Sequence, residues 1–341
     1  MKDWLNKLSK DQGVTPELTW IQKGFTHDEV QKLDLPDPEW FIPTLIPNPG
    51  LIAITGRPGH FKTFFTQWIA LRLSAKLPLF DGIDSSFLSA PKSSIGVVFV
   101  EEEMNARQIK LRANQMKSWG HDNFHWFISS GFSLKDKEKV SELRKYIETN
   151  NIKLLVLDPF TTCAEMKDEN SNAEAREVMD VIRHEFVDTE HGCTVIFIHH
   201  PSKGEGSSEN IRGAGDILGK CDMHFVLEKI GEGRTTVISI KCKKTRFIQP
   251  DDFIAEMVED EKDFGRLEWK YRGTHEDKFK QECNLLKEKI LHNLTDESYT
   301  QKDLALVCST TSADSKFVSA WNDLIDNDLI QKIDRYKWKK S

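Results

Sequence analysis

The feature that most constrains the fold is a short apolar run, LIAIT (51–55), followed at once by GRPGHFKT (56–63) and the apolar run FFTQWIALRLSA (64–75). A strand that passes through a glycine-containing turn into a helix leaves backbone N–H groups of the turn and of the first helical residues without partners. These N–H groups and the helix dipole attract negative charge, so the turn can wrap around a phosphate. The sequence therefore predicts a phosphate-binding loop between a buried strand and a helix.

The loop matches the nucleotide-binding pattern G-x-x-x-x-G-K-[ST] at every position but one. Lys62 is expected to reach the β- and γ-phosphates of ATP, and Thr63 to hold Mg²⁺. Phe61 stands where the pattern has glycine, and its side chain is expected to crowd the loop. An ordinary strand–turn–helix that happens to contain Lys-Thr is the alternative. The residues predicted to bind the nucleotide are Gly56, Arg57, Pro58, Gly59, His60, Phe61, Lys62, Thr63 and Phe64.

Further along the chain, apolar strands alternate with segments that suit amphipathic helices, a pattern typical of parallel βαβ units. The fold class is therefore α/β, a P-loop core with a mostly parallel twisted sheet flanked by helices. The predicted strands are VVFV (97–100), IKLLVLD (152–158), CTVIFIHH (193–200), MHFVLEK (223–229) and TTVISIKCKK (235–244).

The chain changes character twice, which predicts a polar N-terminal segment (1–39), the ATPase core (40–272) and a small C-terminal domain (273–341). Three helical patterns and a basic tail in the last part predict a winged helix-turn-helix. The third of these helices carries several aspartates, which repel phosphate, whereas the tail RYKWKK (335–340) alternates cations with aromatics. DNA binding and protein docking therefore both stay open for this domain. The aspartates are Asp314, Asp323 and Asp326.

Composition narrows the class of protein. No stretch of the 341 residues approaches the roughly 18 consecutive apolar residues of a membrane helix. The N-terminus lacks the apolar core of a signal peptide, so we expect a cytoplasmic protein with no membrane partner. Six scattered cysteines without a CxxC pair predict reduced thiols and no zinc site. The net charge of −7 argues against a protein that coats DNA non-specifically, but not against basic groups in one channel.

Acidic residues end two of the predicted strands. Asp158 closes IKLLVLD, where a carboxylate can hold Mg²⁺ through water. VVFVEEEM places Glu101, Glu102 and Glu103 at the end of another strand, and one of them could orient and deprotonate the attacking water. A helix cap at Asp158 and a solvated strand end at the glutamates are the alternatives.

Histidines and cations follow the later strands. His199 and His200 point to opposite faces of a strand, so a γ-phosphate sensor or a core histidine suits them better than a shared metal. The glycine-rich segment 201–220 carries Lys203 and Arg212, which could contact phosphates unless the segment is an inert loop. The cations of KCKKTRF (241–247) form either a solvated face or a charge supplied to a neighbouring subunit's γ-phosphate.

Taken in order, these motifs resemble those of the RepA family of RecA-like ATPases, which is related to ring-shaped replicative helicases. The resemblance spans about residues 38–250. It rests on EWFIPTLIPNPG, GRPGHFKT, VVFVEEEM, LLVLDPFTT, DENSNAEA, VIFIHHPSKG, IRGAGDI and KKTRF. It implies a RecA-like core, ATP hydrolysis, and a ring whose sites lie between subunits.

The resemblance also assigns roles by position. Glu103, before Met104, matches the catalytic glutamate, and His200 or His199 matches the sensor. Lys244 and Arg246 match the basic pair offered to the next subunit. The loop that carries Lys203 and Arg212 corresponds to the DNA-facing loop of related rings.

We therefore expect an ATP-hydrolysing motor that acts on DNA, a helicase-like replication protein of a plasmid, phage or other mobile element, assembled as a hexameric ring. Its expected partners are single-stranded DNA and further copies of the chain. The alternative is an ATP-dependent DNA-binding switch, loader or recombinase-like protein that does not unwind DNA.

Overall fold

A computed structural model gives the fold, in which the chain divides into two compact units, residues 1–271 and 272–341. Lys203 and Arg212 lie outside the described residues. No helix in the described part of the chain is both long and apolar enough to cross a lipid bilayer. The structure describes residues 24–32, 39–83, 88–116, 122–167, 171–200, 214–230, 236–259, 265–294, 299–333 and 337–340.

The strands of the first unit form a small hairpin and one large sheet. The hairpin consists of β1 (Glu39–Ile42) and β2 (Ile46–Asn48). The sheet contains β3 (Leu51–Thr55), β4 (Gly96–Glu101), β5 (Phe124–Ile128), β6 (Ile152–Asp158), β7 (Thr194–His199), β8 (Met223–Ile230), β9 (Thr236–Thr245), β10 (Phe253–Glu259) and β11 (Leu267–Thr274).

The helices described in this unit lie mostly in the connections between these strands. They are α1 (His27–Gln31), α2 (Lys62–Ser74), α3 (Ala106–Gln115), α4 (Lys137–Thr149), α5 (Phe160–Ala164), α6 (Asn172–Ile182) and α7 (Ala214–Lys220). A π-helical turn, Arg183–Val187, continues α6.

The large sheet has the order β11-β10-β9-β8-β3-β7-β6-β4-β5, and the six strands from β8 to β5 are parallel. Both faces of these strands are buried, because alternate residues enter two separate cores. Ile52 and Ile54 of β3 enter one core, and Leu51 and Ala53 enter the other. The predicted α/β class with a mostly parallel sheet is therefore confirmed.

Helix α2 is buried on nearly every side, as its apolar run FFTQWIALRLSA indicates, whereas amphipathic helices are expected in the other connections. Almost every residue of α2 is buried, including Trp68 and Arg72. The reason is that the β1–β2 hairpin and strands β10 and β11, none of which the sequence predicted, contribute to the same core. Arg72 is tolerated there because its guanidinium is paired with Asp81 and donates to the carbonyl of Pro78.

The second unit packs its helices around an aromatic core that contains Phe317 and Trp321. Trp338, in the basic tail, stacks edge-on against Trp321 at 5.3 Å and so belongs to this core. Asp314 caps the third helix and Asp323 pairs with Lys287, so both acidic groups have structural roles. The elements are α8 (His275–Asn293), α9 (Gln301–Val307), α10 (Ser315–Asp326), β12 (Ile330–Lys332) and β13 (Trp338–Lys340).

Candidate functional site

The carboxyl ends of four parallel strands meet around one cleft of about 520 Å³. β3 leads into the loop 56–61, and β7 separates it from β6, which ends at Asp158. β4 lies on the other side of β6 and pairs Glu101 with Asp158. This is the edge of an open α/β sheet where ligands bind. The cleft is lined by Pro58, Gly59, Phe61, Lys62, Thr63, Phe64, Glu101, Glu103, Met104, Gln108, Arg112 and His200.

Two positions of the loop require glycine. Gly56 has φ +151°, and a Cβ there would lie 2.3 Å from the carbonyl oxygen of Leu227. Gly59 has φ +79°, in the left-handed region that side chains rarely adopt. Gly56 therefore lets the loop pass close to β8, and Gly59 supplies a backbone conformation that favours glycine.

Phe61 replaces the third glycine of the pattern and still adopts the left-handed conformation, with φ 58° and ψ 22°. That conformation costs a residue with a side chain about 1–2 kcal/mol. The ring offsets the cost by packing: it meets Trp269 edge-on at 6.5 Å, and the ammonium of Lys229 lies 6.0 Å from its centroid. The ring is thus anchored on β8 and β11 at the wall of the cleft.

Lys62 is the first residue of α2 and is only 5% exposed. Its Nζ donates to the carbonyl of Arg57 at 3.1 Å and lies 3.2 Å from Nδ1 of His200. Burial lowers the pKa of Lys62 to about 8, while the charges of Asp158 and Glu103 act in the opposite direction. The polyanionic phosphates of a nucleotide would supply the counter-charge that a buried ammonium needs.

Thr63 and Asp158 are the two residues of the site that could hold a metal ion. The Thr63 side chain makes a hydrogen bond to Asp158, whose second oxygen, Oδ2, is buried and has no partner in the described part of the chain. Burial, followed by the nearby charge of Glu101, raises the pKa of Asp158 to about 7. Mg²⁺ prefers oxygen ligands and is usually held by one or two protein groups together with substrate phosphates. A hydroxyl beside an unpartnered carboxylate oxygen fits that requirement.

The three adjacent glutamates have different surroundings. Glu101 is buried, and burial raises the pKa of its carboxyl. Glu102 turns away from the cleft, and its carboxylate accepts hydrogen bonds from the backbone of residues 130–132. Glu103 is exposed and lines the same cleft as Lys62. Among the three, Glu103 is therefore best placed to meet a water molecule beside a bound phosphate.

The two histidines are separated as the strand geometry predicts. His199, the last residue of β7, is 1% exposed, and its ring meets Phe160 edge-on. His200 lines the cleft and approaches Lys62. A ligand in the cleft would therefore meet His200, whereas His199 belongs to the buried side of the strand.

Arg112 is a cleft residue that the sequence motifs did not reveal. It lies on α3, with its guanidinium 5.7 Å from the ring of Phe64, and its Nη1 is buried without a partner among the described residues. Burial lowers the pKa of Arg112, although Glu101 and Asp158 counteract the effect. The sequence of α3 does not distinguish Arg112 from the other two cations of the helix, Arg107 and Lys110. In the structure those two are exposed.

Comparison with known proteins identifies a family for this chain. Residues 19–206, more than half of the chain, match the family described as AAA domain. The chain belongs to this family. Its loop, cleft and sheet are those of a P-loop ATPase domain. No curated protein matches. A KaiC-like protein from the hyperthermophilic archaeon Pyrococcus horikoshii is similar in structure, with 14% identity over 69% of this chain and 99% of that one, at a TM-score of 0.46.

The basic pair lies beyond the residues that match the AAA domain and away from the cleft of its own chain. Strand β9 runs antiparallel to β8 and pairs Thr245 with Met223, which lies beside the start of β3. Arg246 contacts the carbonyl of Gly219 at 2.8 Å and Asp222 at 3.5 Å, and Lys244 also donates to Gly219. The pair therefore lies at the opposite edge of the sheet from the end of β3, where the loop begins.

Proposed function

We propose that this AAA domain protein is an ATP-hydrolysing motor that acts on DNA, assembled as a ring of identical subunits. One observation carries the hydrolytic part of the proposal. Lys62, Thr63, Glu103 and His200 line one cleft, and the buried carboxyl of Asp158 lies within electrostatic reach of Lys62, so four segments of the sequence meet there. An ordinary strand–turn–helix would give no reason for a buried lysine and an unpartnered buried carboxylate oxygen to face each other there.

Each group has a distinct task in this proposal. Backbone N–H groups of the loop and of the start of α2 bind the phosphates, and Lys62 places its charge on the γ-phosphate. Thr63 and Asp158 would hold Mg²⁺, which supplies charge neutralisation along the phosphates when bound. Glu103 takes the proton of the attacking water, and Arg112 and His200 contact the γ-phosphate from the same chain.

Glu103→Gln is expected to bind ATP but to hydrolyse it about 10²–10⁴ times more slowly, because glutamine keeps the shape of the side chain and removes the base. Phosphate release at saturating ATP measures the rate, and a fluorescent ATP analogue measures binding. Glu148→Gln, an exposed acid on α4, is the matched control. A loss of turnover in Glu102→Gln, but not in Glu103→Gln, would contradict the assignment.

Two features support action on DNA by a ring. The resemblance to the RepA family extends across the ordered set of motifs, including the DNA-facing segment that follows His200. Arg246 lies too far from its own cleft to act there, which suits a residue that serves a neighbouring copy. An origin in a plasmid, phage or mobile element, and a hexameric ring, are further parts of the proposal that rest on the resemblance alone.

The net charge of −7 favours a second candidate, an ATP-dependent switch, loader or recombinase-like protein that binds DNA or a replication partner without unwinding. A net negative charge repels the phosphates of DNA, so broad electrostatic contact is unfavourable. Contact with DNA would then be confined to a small, local region of the surface.

The function is tested by measuring ATP hydrolysis with and without single-stranded DNA. The motor requires hydrolysis that DNA stimulates, together with displacement of a labelled strand from a forked duplex. Stimulated hydrolysis without displacement would favour the switch or loader. Electron microscopy of the ATP-bound protein separates a closed ring from a recombinase-like filament. An absence of hydrolysis under all conditions would refute both candidate functions.

The segment with Lys203 and Arg212 is expected to contact single-stranded DNA. Removing both cations should reduce the slope of log affinity against log salt by roughly 0.7 for each phosphate that is no longer neutralised. Filter binding over a salt series measures the slope, and Lys110→Ala with Lys145→Ala, two exposed lysines, is the control. An unchanged slope in the variant that lacks Lys203 and Arg212 would make this segment inert for DNA.

A further inference from the structure

Glu103 lies on a short link between a strand and a helix. β4 ends at Glu101, and α3 begins at Ala106 with Asn105 as its N-cap. Residues 102–105 of this link lie outside both the strand and the helix. A general base works only within hydrogen-bonding reach of the proton that it removes, so the conformation of the link decides whether Glu103 can act.

The carboxylate of Glu101 holds the backbone of this link through hydrogen bonds. Its Oε1 accepts the backbone N–H of Glu103 at 3.0 Å and that of Met104 at 2.9 Å. One carboxylate oxygen can accept two hydrogen bonds at once. Two of them converging on one oxygen fix the backbone at the residue that carries the base.

Glu102 holds the same link from the opposite side. Its N–H donates to the carbonyl of Asp158 at 2.9 Å, which ties the link to β6. Its carboxylate binds the backbone N–H groups of Ser130, Gly131 and Phe132 at 3.0–3.1 Å. Glu101 and Glu102 thus use their carboxylates to bond backbone N–H groups, whereas Glu103 lines the cleft with an exposed side chain.

The burial of Glu101 needs an explanation. Like Asp158 and His199, which end the neighbouring strands β6 and β7, Glu101 is a buried polar residue at a strand end. Glu101 is 1% exposed, and its second oxygen, Oε2, has no hydrogen-bond partner in the part of the chain that the structure describes. A buried carboxylate is unfavourable unless its bonds are needed. The two bonds that it makes both fix the backbone of the link.

We propose that Glu101 is a positioning residue that sets the conformation of the link and thereby aims Glu103 at the attacking water. The inference rests on the proposed ATPase function. Glu101→Ala removes the acceptor and is expected to lower kcat by about 10–100-fold, the usual cost of a misplaced catalytic group, with the KM for ATP within about threefold. Glu101→Gln keeps an oxygen for both N–H groups and should retain most of kcat.

A double-mutant cycle with Glu103→Gln provides the decisive measurement. If Glu101 acts through Glu103, then Glu101→Ala should cost little more once the base has been removed. Binding of a fluorescent ATP analogue should be unchanged in every variant, and Glu148→Gln should behave as wild type. A full additional loss in the Glu103→Gln background would overturn the inference, as would equal losses for Glu101→Gln and Glu101→Ala.

Failure of the ATPase proposal gives a different result. In that case wild-type protein releases no phosphate, or Glu103→Gln retains full turnover. Wild-type hydrolysis that depends on Glu103, together with normal kcat in a folded Glu101→Ala protein, rejects the positioning role alone. If Glu101→Ala does not fold, Glu101→Gln still decides, because a loss as large as that of Glu103→Gln contradicts retention of the acceptor.

Discussion

Replacement of Lys62 by alanine is expected to abolish ATP hydrolysis and to leave the fold intact. The ammonium is buried at the start of α2, beside His200 and within electrostatic reach of Asp158 and Glu103. No other lysine lines the cleft in the described part of the chain. The loss of one preorganised charge at the transferring phosphate costs at least about 10²–10³ in rate. Steady-state phosphate release measures the effect.

The fold should survive because alanine is the best helix former and Lys62 makes few polar interactions. Among the described residues, its Nζ bonds one backbone carbonyl, that of Arg57, in addition to its approach to His200. Thermal unfolding should therefore be close to that of wild type. Lys145→Ala, on the exposed face of α4, controls for the loss of a charge. Near wild-type turnover in a folded Lys62→Ala protein would falsify the site.

Arg246→Ala is expected to reduce hydrolysis by about 10³–10⁵, the usual worth of an arginine finger. Arg246 lies beside the start of β3, and the loop begins at the end of that strand. Five strand residues at roughly 3.3 Å each separate these two ends, more than an arginine side chain can span. A large effect on turnover must therefore come from a neighbouring subunit. Arg144→Ala, another surface arginine with an acidic partner, is the control.

Mixing distinguishes action between subunits from action within one. Lys62→Ala and Arg246→Ala should each be nearly inactive alone. Combined under conditions of subunit exchange, they should regain part of the activity, because some interfaces then join an intact loop to an intact finger. Phosphate release across mixing ratios follows the recovery. No recovery at any ratio, with exchange shown independently, would contradict simple pairwise action, and full activity of Arg246→Ala would assign the residue to the solvated face.

The central part of the fold could be predicted from sequence, because strands buried on both faces leave long apolar runs such as LIAIT and IKLLVLD. The β1–β2 hairpin, β5, β10 and β11 could not. β5 is half-buried along its whole length, and its five residues, FHWFI, show no alternation of polar and apolar side chains. The apolar run of α2 indicated a buried helix, but some of the residues that bury it, such as Trp269 of β11 beside Phe65, come from these missed elements.

The candidate site divides in the same way. Lys62, Thr63 and Asp158 could be predicted because glycines and strand ends fix their positions locally. Arg112 could not, since its helix carries other cations and only the packing of α3 selects one of them. The separate tasks of Glu101 and Glu102 were equally hidden, because both depend on backbone N–H groups whose positions the fold determines.

The hydrogen bonds of the basic pair have a consequence for coupling. Lys244 and Arg246, with Arg183, bind backbone carbonyls at the carboxyl end of α7. The segment 201–213, with the predicted DNA contacts, runs directly into the amino end of that helix. If Arg246 turns to a neighbour's phosphate, it must release Gly219 and thus loosen the helix that the DNA segment leads into.

Helix α7 would then couple the two sites in both directions, from the segment 201–213 to Arg246 and from Arg246 to that segment. Under the proposed function, DNA bound to residues 201–213 would alter how firmly α7 retains Arg246, and so would alter the nucleotide site of the next subunit. Because such coupling is reciprocal at equilibrium, the factor by which DNA changes nucleotide affinity equals the factor by which nucleotide changes DNA affinity. Titration of DNA in the presence and absence of nucleotide, and titration of nucleotide in the presence and absence of DNA, should therefore give the same coupling free energy. Arg246→Ala should bring this coupling free energy close to zero.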